Sequence, residues 1–153
     1  MKLEKWAMIA EVLSGIAVTI SVIFLVVGIR DNTNVTRAAV YEDLINGINQ
    51  LNIAILQDDE LSLMWSQRFD YYARDMSEEE FARLNLMNRV LLRIYEAAYF
   101  SSKYGTLGES EWERFAATIC TNYRELSQYP QLWSRVSGPL SAEFQEEIVR
   151  LCR

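Results

Sequence analysis

Residues 6–30 read WAMIAEVLSGIAVTISVIFLVVGIR, and this stretch decides the fold class of the chain. From Trp6 to Ile29 there are 24 residues and one charged side chain, Glu11. A helix of that length is about 36 Å long, which crosses a hydrocarbon core of about 30 Å with some tilt. A secretory signal has a shorter apolar region and a small-residue cleavage site behind it, and the following GIRDNTNV contains no convincing site. The stretch therefore predicts an uncleaved transmembrane helix.

The composition of the whole chain narrows the possible functions. The 153 residues carry a net charge of −6 and include no histidine. Nucleic-acid binding needs a cluster of cations, and no basic cluster occurs. Without histidine there is no Ser-His-Asp or Cys-His catalysis, and no zinc or haem held by histidine. We therefore predict no catalytic residue, no cofactor, no metal ligand and no nucleic-acid partner, and we do not expect an enzyme.

The two cysteines do not form a recognisable motif. Cys120 and Cys152 are 32 residues apart, with no CxxC pair and no framework of spaced cysteines. The simplest interpretation is two reduced, buried thiols.

The rest of the chain shows helical periodicity and no strand-like alternation. Apolar residues at steps of three and four between Val40 and Leu56 mark an amphipathic helix. The bridge RDNTN before it has no proline or glycine, so the membrane helix is able to run straight on into this one. We predict an all-α protein with an anchor over residues 1–30 and a small helical bundle over residues 31–153, made of five helices.

Capping signals mark the ends of the later helices. A serine three residues before a glutamate forms a capping box, and glycine favours a helix end. Proline favours a helix start. The predicted caps and stops are Asp58 or Asp59, the box Ser77 with Glu80, the stop Gly105, a second box Ser110 with Glu113, the start Pro130 and the cap Ser141.

Small side chains follow one line along the predicted membrane helix, which we call the small-residue seam. Six of its seven members are Ala, Ser or Gly, at alternating steps of three and four. Close backbone approach over such residues drives helix association in lipid, and the seven-residue repeat favours a left-handed crossing. The alternative is a plain anchor with small residues by chance. The members are Ala7, Ala10, Ser14, Ala17, Ser21, Phe24 and Gly28.

Glu11 is the intramembrane charge, and it lies beside the seam. A charge within a membrane segment is costly and is a candidate functional group. Three interpretations stay open: the carboxylate snorkels to the interface near Lys5, it pairs with a partner helix, or it lines a pore in an oligomer.

Glu96 is the candidate buried carboxylate of the soluble part. It lies in the apolar context LLRIYEAAYF, with Arg89 and Arg93 seven and three residues before it. If it is buried, an arginine should pair with it. The alternative is a carboxylate used in acid–base chemistry, but no second carboxylate lies one helical turn away.

The chain resembles a widespread group of small bacterial single-pass membrane proteins that have a C-terminal helical domain. The matching stretches are GIAVTISVIFLVVGIRDNTNVTRAA, DDELSLMW, RIYEAAYFSSKYGTLGESEWERF and PQLWSRVSGPLSAEFQEEIV. The resemblance implies a one-pass anchor and recurrent positions at Glu11, Glu96, Trp112 and Trp133. Arginines that follow the membrane helix in that group imply a cytoplasmic domain, although Lys2 and Lys5 balance them here.

These features lead to two functional hypotheses and a distant third. The first is a membrane-anchored interaction or accessory protein in the cell inner membrane, which associates through its seam with copies of itself or with other membrane subunits. The second is an oligomeric pore or ion conductor that uses Glu11. The third, an enzyme that uses Glu96, needs an open polar cleft at that residue.

Overall fold

A computed structural model describes the backbone from Lys2 to Arg153, and all side chains in that range except those of residues 2–5, 7–10 and 12. The described residues form helices and no strands, so the predicted all-α class is confirmed. The helices are α1 (Lys2–Leu56), α2 (Asp59–Ser66), α3 (Arg68–Ala73), α4 (Glu78–Lys103), α5 (Glu109–Leu126), α6 (Pro130–Ser137) and α7 (Ala142–Leu151).

The chain divides into two compact units, Met1–Ala38 and Ala39–Arg153. The division falls inside α1, eight residues beyond the predicted end of the anchor at residue 30. We call the second unit the helical bundle. Each unit is described by itself below.

The first unit consists of helix throughout its described residues. The polar bridge RDNTN does not interrupt α1, as the absence of proline and glycine allowed. Thr33 and Thr36 donate their hydroxyls to the carbonyls of Ile29 and Asn32, which satisfies these polar groups within the helix. The segment Leu13–Leu56 contains a window long and apolar enough to span a membrane, and none of that window is buried.

The helical bundle is organised around α4, which packs against α2, α5 and α6. Its buried face includes Leu84, Leu91 and Ala98, at the helical spacing that the sequence predicts. Gly47 of α1 brings that helix close to α4, because a Cβ atom added there would lie 3.4 Å from Cδ1 of Ile94. The core continues through α7, where Phe144 and Ile148 are fully buried.

Most of the predicted caps are confirmed. Ser77 and Glu80 form both halves of a capping box at the start of α4. Gly105 follows the end of α4 with φ of 75°, a conformation that glycine adopts without a steric penalty. Asp58 caps α2, Pro130 begins α6 and Ser141 caps α7.

Two local predictions were wrong. Ser110 does not cap α5, because the helix already begins at Glu109 with Gly108 as its N-cap. The burial of Leu107 fixes the chain just before this start, and the Ser110 hydroxyl bonds to the Glu111 carboxylate instead. Helix α3 was not predicted, and the bundle therefore holds more helices than the expected five.

The expectation of two free thiols is also wrong. Cys120 and Cys152 form a disulfide, with their Cα atoms 5.0 Å apart. Cys120 lies on α5, and Cys152 immediately follows α7. Because α5 packs against α7, the two sulfur atoms meet although 32 residues separate them in sequence.

Candidate functional site

The small-residue seam forms a shallow furrow on the surface of α1. Ser14, Ala17 and Ser21 line this furrow of about 340 Å³, with Val18, Val22 and Leu25 as its larger neighbours. The furrow exists because short side chains leave the helix backbone uncovered between longer ones. Phe24 and Gly28 continue the seam and are exposed, whereas the side chains of Ala7 and Ala10 lie outside the described residues.

Two hydroxyl groups in and near the seam, those of Ser21 and Thr19, are satisfied within α1. Ser21 donates to the carbonyl of Ala17, and Thr19 donates to the carbonyl of Gly15, both at 2.9 Å. A hydroxyl bonded in this way does not need a partner in an apolar environment. Association along this surface would therefore depend on close packing.

Glu11 is exposed on α1. It forms no ion pair with a described side chain, and its neighbour Lys5 lies outside the described side chains. The three interpretations of this carboxylate remain predictions.

In the bundle, both oxygens of the buried Glu96 carboxylate are hydrogen-bonded. Arg93 donates to Oε2 at 2.7 Å, and the backbone N–H of Ser141 donates to Oε1 at 2.6 Å. Burial raises the pKa of Glu96, but the bonds from Ser141 and Arg93 outweigh it and hold the pKa below its ordinary value. The described residues include no ion pair between Arg89 and Glu96.

This arrangement joins two helices and leaves no free base. Ser141 is the N-cap of α7, so Glu96 satisfies one of the amide groups that a helix start leaves without an intrahelical partner. A carboxylate already engaged at both oxygens is poorly placed to accept a substrate proton. The hydrogen bond between Glu96 and Ser141 was not predicted, because the sequence alone does not reveal that these residues, 45 positions apart, are neighbours.

A second polar cluster joins α4 to α7 nearby. Tyr99 donates its hydroxyl to Glu143 at 2.6 Å, and Lys103 pairs with the same carboxylate. The bond to Glu143, with burial, raises the pKa of Tyr99 to about 12. Together with Glu96 and the disulfide, this cluster ties the C-terminal helix to the rest of the bundle.

The aromatic positions lie against the core. Trp112 packs near Tyr99, with ring centroids 5.9 Å apart. Trp133 meets Tyr123 edge to face, with centroids 5.1 Å apart. Their half-buried rings therefore take part in packing between helices.

A polar cleft of about 830 Å³ lies between the turn before α4 and the start of α6. The guanidinium of Arg135 stands 4.8 Å from the centre of the Phe81 ring at this cleft. Asn85 contributes a buried side-chain oxygen with no hydrogen-bond partner among the described residues.

The described part of the chain contains no group of three or more His, Cys, Asp or Glu side chains suited to a metal ion. Comparisons of the chain with family models, with curated proteins and with solved structures give no match.

Proposed function

We propose that this protein is a membrane-anchored helical interaction protein that associates through the small-residue seam of α1. Its partner is a second copy of the chain or the transmembrane helix of a larger complex in which it is an accessory subunit. The observation that carries the proposal is the furrow at Ser14, Ala17 and Ser21. No chemical reaction is part of the proposed role.

The physics of lipid supports a packing role for this furrow. Apolar side chains gain nothing by leaving acyl chains for each other, so helices in a bilayer associate through close packing and interhelical hydrogen bonds. Short side chains let two backbones approach and increase their dispersion contacts. Gly28 of the seam has no neighbour within 4 Å of the place where a Cβ atom would stand, so the seam is open at this position.

The exposure of α1 supports the membrane location. The core helix of a soluble protein would be mostly buried, whereas none of the apolar window of α1 is covered. A cleaved signal sequence is also an apolar helix near the N-terminus, so length and composition alone do not separate it from an anchor. Recovery of the intact chain in the membrane fraction, with its N-terminal residues detected by mass spectrometry, separates an anchor from a signal.

The proposal includes the side of the membrane. The resemblance implied a cytoplasmic bundle, but disulfides persist in oxidising compartments and are rare in the cytosol. The Cys120–Cys152 bond therefore favours a bundle outside the cytoplasm, with the N-terminal end of α1 inside. The flanking positive charges are balanced and do not oppose this orientation.

Cysteine crosslinking in native membranes tests the seam. Ser14→Cys and Ser21→Cys are each made in a background of Cys120→Ala and Cys152→Ala, so that the introduced thiol is the only one. Ile23→Cys is the matched control, since it lies two residues from Ser21 and points about 200° away around the helix. A membrane-permeant oxidant should crosslink the two seam variants and leave the control monomeric.

The mass of the crosslinked product identifies the kind of partner. Twice the chain mass indicates self-association, and a different mass indicates an accessory subunit bound to another protein. Equal crosslinking at all three positions would contradict the proposal. No crosslinking at either seam position would contradict self-association, because another protein forms this bond only where it carries a cysteine at the contact.

A further inference from the structure

The helical bundle has a second surface that the proposed function does not use. Residues of α1 and α4 line a groove of about 780 Å³ within the bundle, which we call the apolar groove. Val40 and Leu44 form one wall, and Leu86, Val90 and Ala97 belong to the other. Leu86 is 62% exposed and Val90 is 39% exposed, although both are aliphatic.

Exposed apolar side chains in the bundle are concentrated on this group of helices. Helices α5, α6 and α7, whose side chains are all described, have no large exposed hydrophobic residue. Contiguous apolar exposure marks an interaction site in soluble domains. Within the bundle, the large exposed hydrophobic residues of α1, α2 and α4 are Ile53, Leu56, Leu63, Leu86 and Val90, of which Leu86 and Val90 line the groove.

The charges at the groove indicate what covers it. Asp43 stands on the α1 wall and Arg89 on the α4 wall, and both are exposed. Neither forms an ion pair with another described residue. Arg93 also lines the α4 wall, but its guanidinium is paired with Glu96. A site for an anionic membrane surface would be uniformly basic, whereas an acidic residue on one wall and an arginine without an ion pair on the other make the groove complementary to itself.

We propose that the apolar groove is a homodimer interface, in which the α1 wall of one copy meets the α4 wall of the other. A two-fold axis makes each such contact occur twice, so each Asp43 opposes the Arg89 of the other copy. The exposed Leu86 and Val90 then enter the groove of the opposite copy and leave water. Anchoring in a membrane raises the effective concentration of the two bundles and favours this pairing. The interface does not depend on the seam.

Photocrosslinking of the full chain in native membranes tests this interface. A benzoyl-phenylalanine photocrosslinker replaces Leu86, and the matched control carries it at Thr118, an exposed position on α5. Illumination should give a product of twice the chain mass from position 86 and little from position 118. A product with lipid or another protein at position 86, or no product there, would overturn the proposal.

Reversal of the charges at Asp43 and Arg89 provides the second measurement. Its readout is the yield of the dimer crosslink formed from position 86. Asp43→Arg alone and Arg89→Asp alone each place like charges opposite each other and should lower the yield about tenfold. Both reversals in one chain exchange the signs at every contact and should restore it. Co-expression of the two single variants should restore it as well, in mixed pairs.

This pattern separates interface charges from a general effect on folding, because a destabilised chain would not recover when a second reversal is added. Circular dichroism checks that each variant keeps its helix content. Unchanged yield in the single variants, or no recovery in the combined variant, would overturn the assignment. The seam experiment uses other positions, so failure of one interface leaves the other interpretable.

Discussion

The carboxylate of Glu96 accepts a hydrogen bond of 2.6 Å from the backbone N–H of Ser141, so a side chain in the middle of α4 helps to cap the start of α7. Arg93 holds the other carboxylate oxygen. The three groups form a small network around the buried Glu96 carboxylate, and this network positions the last helix. Because Cys152 follows that helix, the network and the disulfide act on the same element from its two ends.

Replacement of Glu96 by glutamine should destabilise the bundle. The neutral amide loses the charge-assisted bond from Arg93 and weakens the bond from Ser141, so we expect a loss of about 1–3 kcal/mol in the free energy of unfolding. Urea unfolding of the full chain in detergent, followed by near-ultraviolet circular dichroism, measures this. Glu146→Gln is the control, since Glu146 is exposed on α7 and should change stability by less than about 0.5 kcal/mol. Equal effects of the two substitutions would contradict the role of Glu96.

The stabilisation by Glu96 should depend on pH in a defined direction. The pKa of Glu96 is lowered in the folded state, so its contribution is complete above the ordinary carboxyl pKa of about 4.3. It is lost as the pH falls through the lowered pKa of the folded protein. The stability difference between wild type and Glu96→Gln should therefore be constant near neutral pH and shrink in acid. A difference that grows as the pH falls would show that the sign is wrong.

Reduction of the disulfide should lower stability without removing the helices. The bond joins residues that are 32 positions apart in sequence. A disulfide that closes a loop of this size stabilises the folded protein by about 2–4 kcal/mol. Thermal unfolding with and without a thiol reductant measures the change. A variant with Cys120→Ala and Cys152→Ala should unfold at a lower temperature than oxidised wild type and should not respond to the reductant. An equal response of both proteins would mean that the reductant acts elsewhere.

The side of the membrane can be read from the cysteines in cells. If the bundle lies outside the cytoplasm, wild-type protein trapped with acid and alkylated under denaturing conditions should show no free thiol until it is reduced. Loss of the thiol-oxidising enzymes of that compartment should expose both thiols. A cysteine introduced at the exposed Ala117 should also react with a membrane-impermeant maleimide in intact spheroplasts. Labelling only after lysis would place the bundle in the cytoplasm.

Features that depend on residues close together in sequence could be predicted, whereas features that depend on residues far apart in sequence could not. Ser77 with Glu80, Gly105 and Pro130 act within about one turn of helix, so their effect is visible in the order of residues. The predicted capping box at Ser110 and Glu113 was wrong, although these residues have the same spacing as Ser77 and Glu80. Burial of Leu107 sets where α5 begins, and that burial depends on the packed core.

The core also explains the helix that was not predicted. The short α3 is held by Tyr72, which receives a 2.6 Å hydrogen bond from Asn88 of α4 and packs against the ring of Tyr129. Neither partner is close to α3 in sequence. A six-residue helix has little stability of its own, so its existence depends on these distant neighbours.

The sequence by itself determined the helical class, the long apolar segment and the line of small residues, because helical periodicity and side-chain size are properties of local order. Only the tertiary structure decided that Cys120 meets Cys152, that Glu96 reaches Ser141, and that α1 and α4 leave an apolar groove between them. These relationships need helices distant in sequence to pack side by side. That packing is set by burial of the whole apolar surface, which no single stretch of residues specifies.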